Sequence, residues 1–367
     1  MSEVPGRVTG PVVAVDAMSG DNDPQAAVWG AVEASLRSDG PRLLLVGDPP
    51  ALRASFDAWC AANPASAARA HRRWEEQIEI VASDAVIGMD EHPAHAVRAK
   101  RNASVVVAAR LIAEGRAGAA VSAGNSGATL AAALVTLKRV AGVDRPAIGA
   151  AFPTPRSDTF LLDVGANVDC KPEWLLQFGV MGGVYARLMM GVGAPRIGLL
   201  SNGEEAEKGS DLVREAHRLL AASSVGFTGN VEGRDLFSGT CDVVVTDGFT
   251  GNAALKTAEG AAEYLFGAIS LQARSSLTGR VGGALLKPRL RPIRDRVDYR
   301  KTGGALLLGV AGEVVIAHGR SDAEAMGNAV RVAARAIRQQ VSGRIGEALA
   351  AEAAAGDAVE TGAGSRS

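Results

Sequence analysis

Short apolar runs, several rich in β-branched residues, alternate along this chain with longer stretches whose apolar positions recur at helical spacing. Residues 12–15, 43–46, 78–81, 119–122, 147–152, 160–163, 197–200, 226–228, 243–245, 306–310 and 314–317 read as strands. Helices are predicted from Pro24 through Leu36, after GDPP, over 94–114, after AGNSGA through Val140, and from KPE through Met190. Others run through Leu220, from Ala253 through Phe266, and from HGRSD to about Gln340. The run at 243–245 lacks any polar alternation, as a strand buried on both faces does. Strands and helices in alternation predict an α/β fold with a mostly parallel sheet covered on both faces.

Polar residues concentrate where strands end. After 243–245 comes TDGFTGN, a turn-forming mixture, and then a helix that Thr250 or Asn252 is placed to cap. Ligands of open α/β sheets bind at the carboxyl ends of the strands, and helix starts favour anions. The loop is not a nucleotide motif. Lys256 follows Leu255 rather than Gly, and no G-x-G-x-x-G follows a strand. Ser126 has Asn125 before it and Gly127 after it, which breaks the G-x-S-x-G spacing of a serine nucleophile elbow.

Composition narrows the picture. The 367 residues are 47% hydrophobic but only 4% aromatic, so small aliphatic side chains do most of the packing. No interior stretch reads as a linker, which predicts a tail over 1–10, one α/β domain over 11–343 with room for two lobes, and a frayed helix and disordered tail over 344–367. A net charge of −1 gives no argument for nucleic-acid binding. Cys60, Cys170 and Cys241 lie far apart, which fits a reducing cytosol and neither a zinc site nor a disulfide framework. His92 and His95 near a helix start lack a third ligand, so no metal is expected. With no signal-peptide pattern and no long uncharged apolar run, a cytoplasmic protein is expected.

Six strings in order, DAMSGDNDP, VSAGNSGA, LLDVGANVDCKPE, GNVEGRDL, VVVTDGFTGNAALKT and AHGRSDA, resemble the phosphate acyltransferase family of bacterial phospholipid synthesis. The resemblance implies transfer of a fatty acyl group from acyl-[acyl-carrier-protein] to inorganic phosphate, with no cofactor. It implies the three-layer α/β/α fold shared with phosphotransacetylases and isocitrate dehydrogenase-like enzymes, and a homodimer. Its product, an acyl phosphate, goes to a membrane glycerol-3-phosphate acyltransferase. Two departures stand in the first string, where Ser19 replaces a Gly and Asn22 replaces a His that usually follows the Asp.

Phosphate is already anionic near neutral pH, so attack on a thioester needs no enzyme nucleophile. The protein must hold phosphate and stabilise an oxyanion, which suits Lys residues and Gly-rich helix starts. Lys171 and Lys256 are the leading cations, His318 the best-placed proton-transfer group, and Asp247 a partner for a Lys or a proton. Asp16, Asn125, Ser126, Asp163, Asn167, Glu204, Lys208, Thr250 and Asn252 complete the candidate phosphate and substrate contacts. Capping or turn roles compete for most of them. A coenzyme A-dependent phosphotransacetylase and a non-catalytic lipid-synthesis scaffold are the alternatives; a dehydrogenase would need a metal-binding Asp cluster that the chain lacks. Residues 274–301 carry nine Lys or Arg against two Asp, with Leu277, Val281 and Leu285 at four-residue spacing. That predicts a short basic amphipathic helix, ended by Pro288 and Pro292, for an anionic membrane, the acidic carrier protein or a dimer partner.

Overall fold

All eleven runs read as strands form strands. The computed structural model describes residues 10–155, 157–297 and 303–364, apart from the side chains of 294–297 and 356–364. The expected tail up to residue 9, residues 298–301 of the basic segment and residues 365–367 lie outside the described residues. In chain order come β1 (Val12–Asp16), α1 (Gln25–Ser35), β2 (Arg42–Gly47), α2 (Pro49–Ala62), α3 (Pro64–Gln77), β3 (Ile78–Ala82) and α4 (Pro93–Ala99). Next are α5 (Ser104–Ala113), β4 (Ala119–Ser122), α6 (Ser126–Leu137), β5 (Ala147–Pro153), β6 (Asp158–Leu162), α7 (Pro172–Tyr185), β7 (Ile197–Leu200) and α8 (Asp211–Ala222). Then follow β8 (Phe227–Val231), β9 (Val243–Val245), α9 (Gly248–Arg274), α10 (Leu277–Val297), β10 (Ala305–Leu308), β11 (Glu313–Ile316), α11 (Ala323–Gln339) and α12 (Val341–Gly364).

The chain divides into two compact units. The first comprises 1–138 and 312–339. Its strands run in the order β3-β2-β1-β4-β11, and every neighbouring pair is parallel. Helix α5 covers the sheet through Val107, Ala108 and Leu111 against Ala14, Leu44, Val46 and Ala120. The alternate residues Val13, Val15, Leu43 and Leu45 are fully buried as well, which requires cover on the other face. Helices α1 and α11, packed on each other, supply that cover.

The second unit comprises 139–311 and 340–367. Its strands run β10-β5-β6-β9-β7-β8. Strand β5 is antiparallel to both neighbours, while β6, β9, β7 and β8 are parallel. Because Gly149 pairs with Leu162, the start of β5 lies beside the end of β6. Residues Arg145 and Pro146 therefore stand at the edge where the parallel strands finish.

Two expectations change. The helix predicted over 94–114 is two helices, because the chain leaves α4 at Lys100 to pair with the preceding loop. Ala103 forms a β-bridge with Ala85, Ser104 N–H donates to Ala85 O at 3.1 Å, and Lys100 Nζ donates to Val86 O at 2.9 Å. Those bonds replace the helical ones. Second, α10 runs unbroken through Pro288 and Pro292. Each proline removes one intrahelical N–H, freeing the carbonyls of Ala284 and Pro288. Ala284 and Pro288 are both exposed, so their carbonyls are open to water. In α12, Val341, Ile345 and Leu349 are buried where the helix packs on α7.

Candidate active site

Polar loops follow the carboxyl ends of the parallel strands in each unit. In the first unit, β1 ends on Asp16, whose buried carboxylate accepts from Ser122 Oγ at 2.7 Å and from Met18 N–H at 3.3 Å. Asn125 caps α6, its Oδ1 accepting from Ala128 N–H at 3.1 Å. Its Nδ2 lies 3.2–3.4 Å from the carbonyls of Gly88, Met89 and Glu91, so the side chain is committed to bracing two loops. Ser126, one residue on, is exposed. His318 follows β11, and its Nδ1 accepts from Arg320 N–H at 3.2 Å, which places the proton of a neutral ring on Nε2.

Asn22 donates through Nδ2 to Ser321 O at 3.1 Å and to Arg320 O at 3.4 Å. It thereby ties the DAMSGDNDP loop to the HGRSD loop, a structural role that an amide fills without titrating. Asp23 beside it was not singled out from sequence. Its carboxylate accepts from Gly20 N–H at 2.8 Å and Ala27 N–H at 3.1 Å, fastening the loop onto α1. Burial, reinforced by the charges of Asp16 and Asp21 against the pull of the two amides, pushes its pKa up to about 7. An Asp directly before the Pro of a helix start is the sequence signal for such a residue.

In the second unit the organising residue is Asp163, just past β6. Its fully buried carboxylate accepts from the N–H groups of Ile148, Gly165, Ala166 and Asn167, at 2.8–3.1 Å, and from Asn167 Nδ2 at 2.9 Å. A carboxylate offers about four lone-pair sites, so five donors saturate it. Burial raises the pKa of Asp163 and the donors pull it down; five donors aimed at two oxygens suit the ionised form. Each donor orphaned by loss of the carboxylate would cost about 1–3 kcal/mol.

Asn167 extends the network. Nδ2 also donates to Pro146 O at 2.8 Å, and its carbonyl accepts from Gly248 N–H at 2.7 Å. Three segments, 145–148, 163–171 and the start of α9, are thus laced together. The two glycines of DGFTGN make the approach possible. A Cβ on Gly251 would lie 1.8 Å from Asp163 O, and one on Gly248 would lie 2.6 Å from Asn167 O. The cap of α9 is Asp247, not Thr250 or Asn252. The chain enters the helix at Gly248, so Asp247 keeps extended backbone and accepts from Thr250 N–H at 2.8 Å and Thr250 Oγ1 at 2.7 Å. Asn252, exposed in that first turn, stands opposite Gly165. Lys171 holds the position before α7, its Nζ 5.9 Å from the Trp174 ring centre.

Asp163, Asn167, Lys171, Asp247, Thr250 and Asn252 therefore gather at the ends of β6 and β9. Glu204 and Lys208 lie in the loop after neighbouring β7, where Glu204 pairs with Arg234 of the GNVEGRD string at 3.4 Å. Lys256 is set apart. It lies eight residues along α9, about 12 Å up the axis, and pairs with Glu259 at 2.8 Å on an exposed face. The thiols are silent as nucleophiles: burial pushes Cys170 up to about 12, with the charge of Asp163 adding, and burial also raises Cys60 and Cys241. A thiol so raised is almost wholly protonated at neutral pH.

The open α/β fold is that of the phosphotransacetylases. The phosphotransacetylase of Streptococcus pyogenes superposes with a TM-score of 0.59 at 14% identity, covering 90% of this chain and 95% of that one. The EutD phosphotransacetylase of Staphylococcus aureus gives 0.56 at 15% identity, over 89% and 94%. These likenesses establish the fold. Sequence comparison goes further: a family model described as "Fatty acid synthesis protein" matches residues 12–344. The phosphate acyltransferase of Syntrophotalea carbinolica is 45% identical over 334 residues, 91% of this chain and 92% of that protein. That of Geobacter sp. (strain M21) is 46% identical over 348 residues, 95% of each. The chain belongs to the phosphate acyltransferase family and is an acyltransferase.

Proposed function

We propose that the protein transfers a fatty acyl group from acyl-[acyl-carrier-protein] to inorganic phosphate, giving an acyl phosphate and free carrier protein. What carries the reading, beyond family membership, is a strand-end edge with Lys171 and exposed amide groups beside Cys170, whose thiol is held protonated. Phosphate needs no activation by an enzyme nucleophile. Its oxygen attacks the thioester carbonyl, a C–O bond forms, the C–S bond breaks, and the electron pair leaves on the carrier's sulfur. Holding phosphate against the carbonyl supplies roughly 7–11 kcal/mol in favourable cases. A donor to the developing oxyanion adds about 3–4 kcal/mol. Lys171 and Asn252 are the contacts for these tasks at the ends of β6 and β9, the Thr250 hydroxyl being engaged by Asp247. In the first unit, Ser126 and His318 are separate candidates at the ends of β4 and β11, His318 through Nε2. No cofactor is required.

The same reading places the enzyme as a homodimer on the inner face of the membrane, passing acyl phosphate to a glycerol-3-phosphate acyltransferase there. Helix α10 supports it. Leu277, Val281 and Leu285 are 80%, 63% and 74% exposed, and basic residues share the helix. Among the described residues no helix is long and apolar enough to cross a membrane, so attachment is peripheral. Carrier protein, which is typically acidic, is the partner for the basic side chains.

Mass spectrometry of the purified protein incubated with palmitoyl-carrier protein and phosphate tests the reaction. Palmitoyl phosphate and free carrier protein are expected in equal amounts. Product from palmitoyl-coenzyme A alone would assign a phosphotransacetylase instead, and acyl label on a denatured enzyme side chain would overturn direct attack.

A further inference from the structure

Two cations in the second unit share one aromatic ring and have no carboxylate within ion-pair distance among the described residues. Arg145 Cζ lies 5.0 Å from the centre of the Trp174 ring, and Lys171 Nζ lies 5.9 Å from the same point. Both side chains are exposed, while the indole is half-buried. An aromatic face attracts a cation by about 0.5–1 kcal/mol at an exposed site. That holds each charge in place without neutralising it.

Arg145 is also fixed through its backbone. On one side Asp144 and Gln177 exchange hydrogen bonds, Asp144 N–H donating to Gln177 Oε1 at 2.9 Å and Gln177 Nε2 to Asp144 Oδ2 at 3.0 Å. Gln177 lies three residues after Trp174 on α7, so this exchange sets Arg145 over the first turn of that helix. On the other side Pro146 O accepts from Asn167 Nδ2, and Ile148 N–H donates to the Asp163 carboxylate. These bonds bring the start of antiparallel β5 to the edge where β6 ends. A guanidinium thus stands beside the Lys171 loop although the two residues are 26 positions apart in sequence.

We infer that Arg145 and Lys171, positioned by Trp174, bind one phosphate group together. The two cations lie 5.0 and 5.9 Å from the same ring centre, and an oxyanion that meets both gains two charge-assisted contacts. The planar guanidinium supplies a two-pronged contact and the ammonium a point charge, so the pair grips a tetrahedral anion from two directions. This rests on the proposed reaction, which offers two sources of the group: inorganic phosphate and the phosphodiester of the carrier's pantetheine arm. Arg145 and Lys171 are binding residues in either case, and Trp174 positions them.

The test compares Arg145→Ala, Arg145→Lys and Trp174→Leu with the intact full-length chain. Phosphate binding is read by 31P line broadening with inorganic phosphate alone, which requires no turnover. KM for phosphate and for palmitoyl-carrier protein are measured separately. With unchanged thermal melting, Arg145→Ala is expected to weaken phosphate binding and raise the phosphate KM at least tenfold, with kcat changed less. Arg145→Lys is expected to recover part of the loss, and Trp174→Leu to fall between. A tenfold rise confined to the carrier KM assigns the pair to the phosphodiester. If both KM values and the phosphate affinity of Arg145→Ala stay within twofold of wild type, the inference is wrong. Wild type that binds phosphate through Arg145 yet makes no acyl phosphate would sink the proposed reaction and leave this site standing.

Discussion

Burial raises the pKa of both Asp163 and Asp23 against the N–H donors that hold their carboxylates. Asp163 has five N–H donors on two oxygens. Asp23, with two backbone N–H donors, is half-buried beside Asp16 and Asp21, and its pKa rises to about 7. An unfolded Asp titrates near 3.9, so the folded state binds the extra proton between about pH 4 and about pH 7. Stability from this group is therefore present at low pH and lost as pH rises through that window. Wild type is expected to lose stability relative to Asp23→Asn between about pH 5 and about pH 8, by on the order of 2 kcal/mol once solvent reaching the carboxyl is allowed for. Urea unfolding of both proteins at the two pH values measures it. A gap that does not move with pH would return Asp23 to the ordinary carboxylate range.

The first turn of α9 and its later turns give glycine opposite meanings. Glycine within a helix normally costs about 0.5–1 kcal/mol against Ala. Gly260 has open space where a Cβ would go, so Gly260→Ala is expected to stabilise by that amount. At Gly251 the same atom would lie 1.8 Å from a carbonyl of the Asp163 loop. Gly251→Ala is expected to destabilise by about 3 kcal/mol and to reduce acyl transfer, because the loop carrying Asp163, Asn167 and Lys171 must move. Thermal melting of the two variants side by side reads the opposite signs, and a stabilised Gly251→Ala would show that α9 does not press on that loop. Elements also explain α10, where an exposed helix tolerates two internal prolines that a buried one would not.

For the molecule as a whole, charge is distributed unevenly. Residues 274–301 carry nine basic and two acidic side chains, +7, against −1 for the chain, which leaves about −8 for the rest. If α10 lies on an anionic surface, Leu277→Glu with Leu285→Glu is expected to abolish flotation with anionic vesicles while acyl transfer in solution persists. Charge reversal at Arg289, Arg291 and Arg294 is expected to weaken both vesicle and carrier-protein binding, more at low salt, where charges are least screened. Wild type that ignores anionic vesicles at low salt would remove the membrane surface from the proposal.

The sequence by itself determined the eleven strands, the α/β class and the family. Apolar runs are local, and six loop strings kept in order carry a resemblance without any coordinates. It also placed polar loops at strand ends, since strand and helix starts are legible residue by residue. What each polar side chain does there was settled only by tertiary contact. Lys256 and Lys171 read alike as cations in Gly-rich strings, but helix rise carries one about 12 Å from the strand end while a turn leaves the other beside Trp174. Asn125 read as a phosphate donor, and three carbonyls from a loop over 30 residues away claim its amide. Arg145 carried no motif at all: an antiparallel strand delivers it to the edge where β6 ends, an effect with no signature within a few residues of chain. Asp23 sits inside the DAMSGDNDP string before a helix-start Pro, but its burial, which raises its pKa, is not legible there.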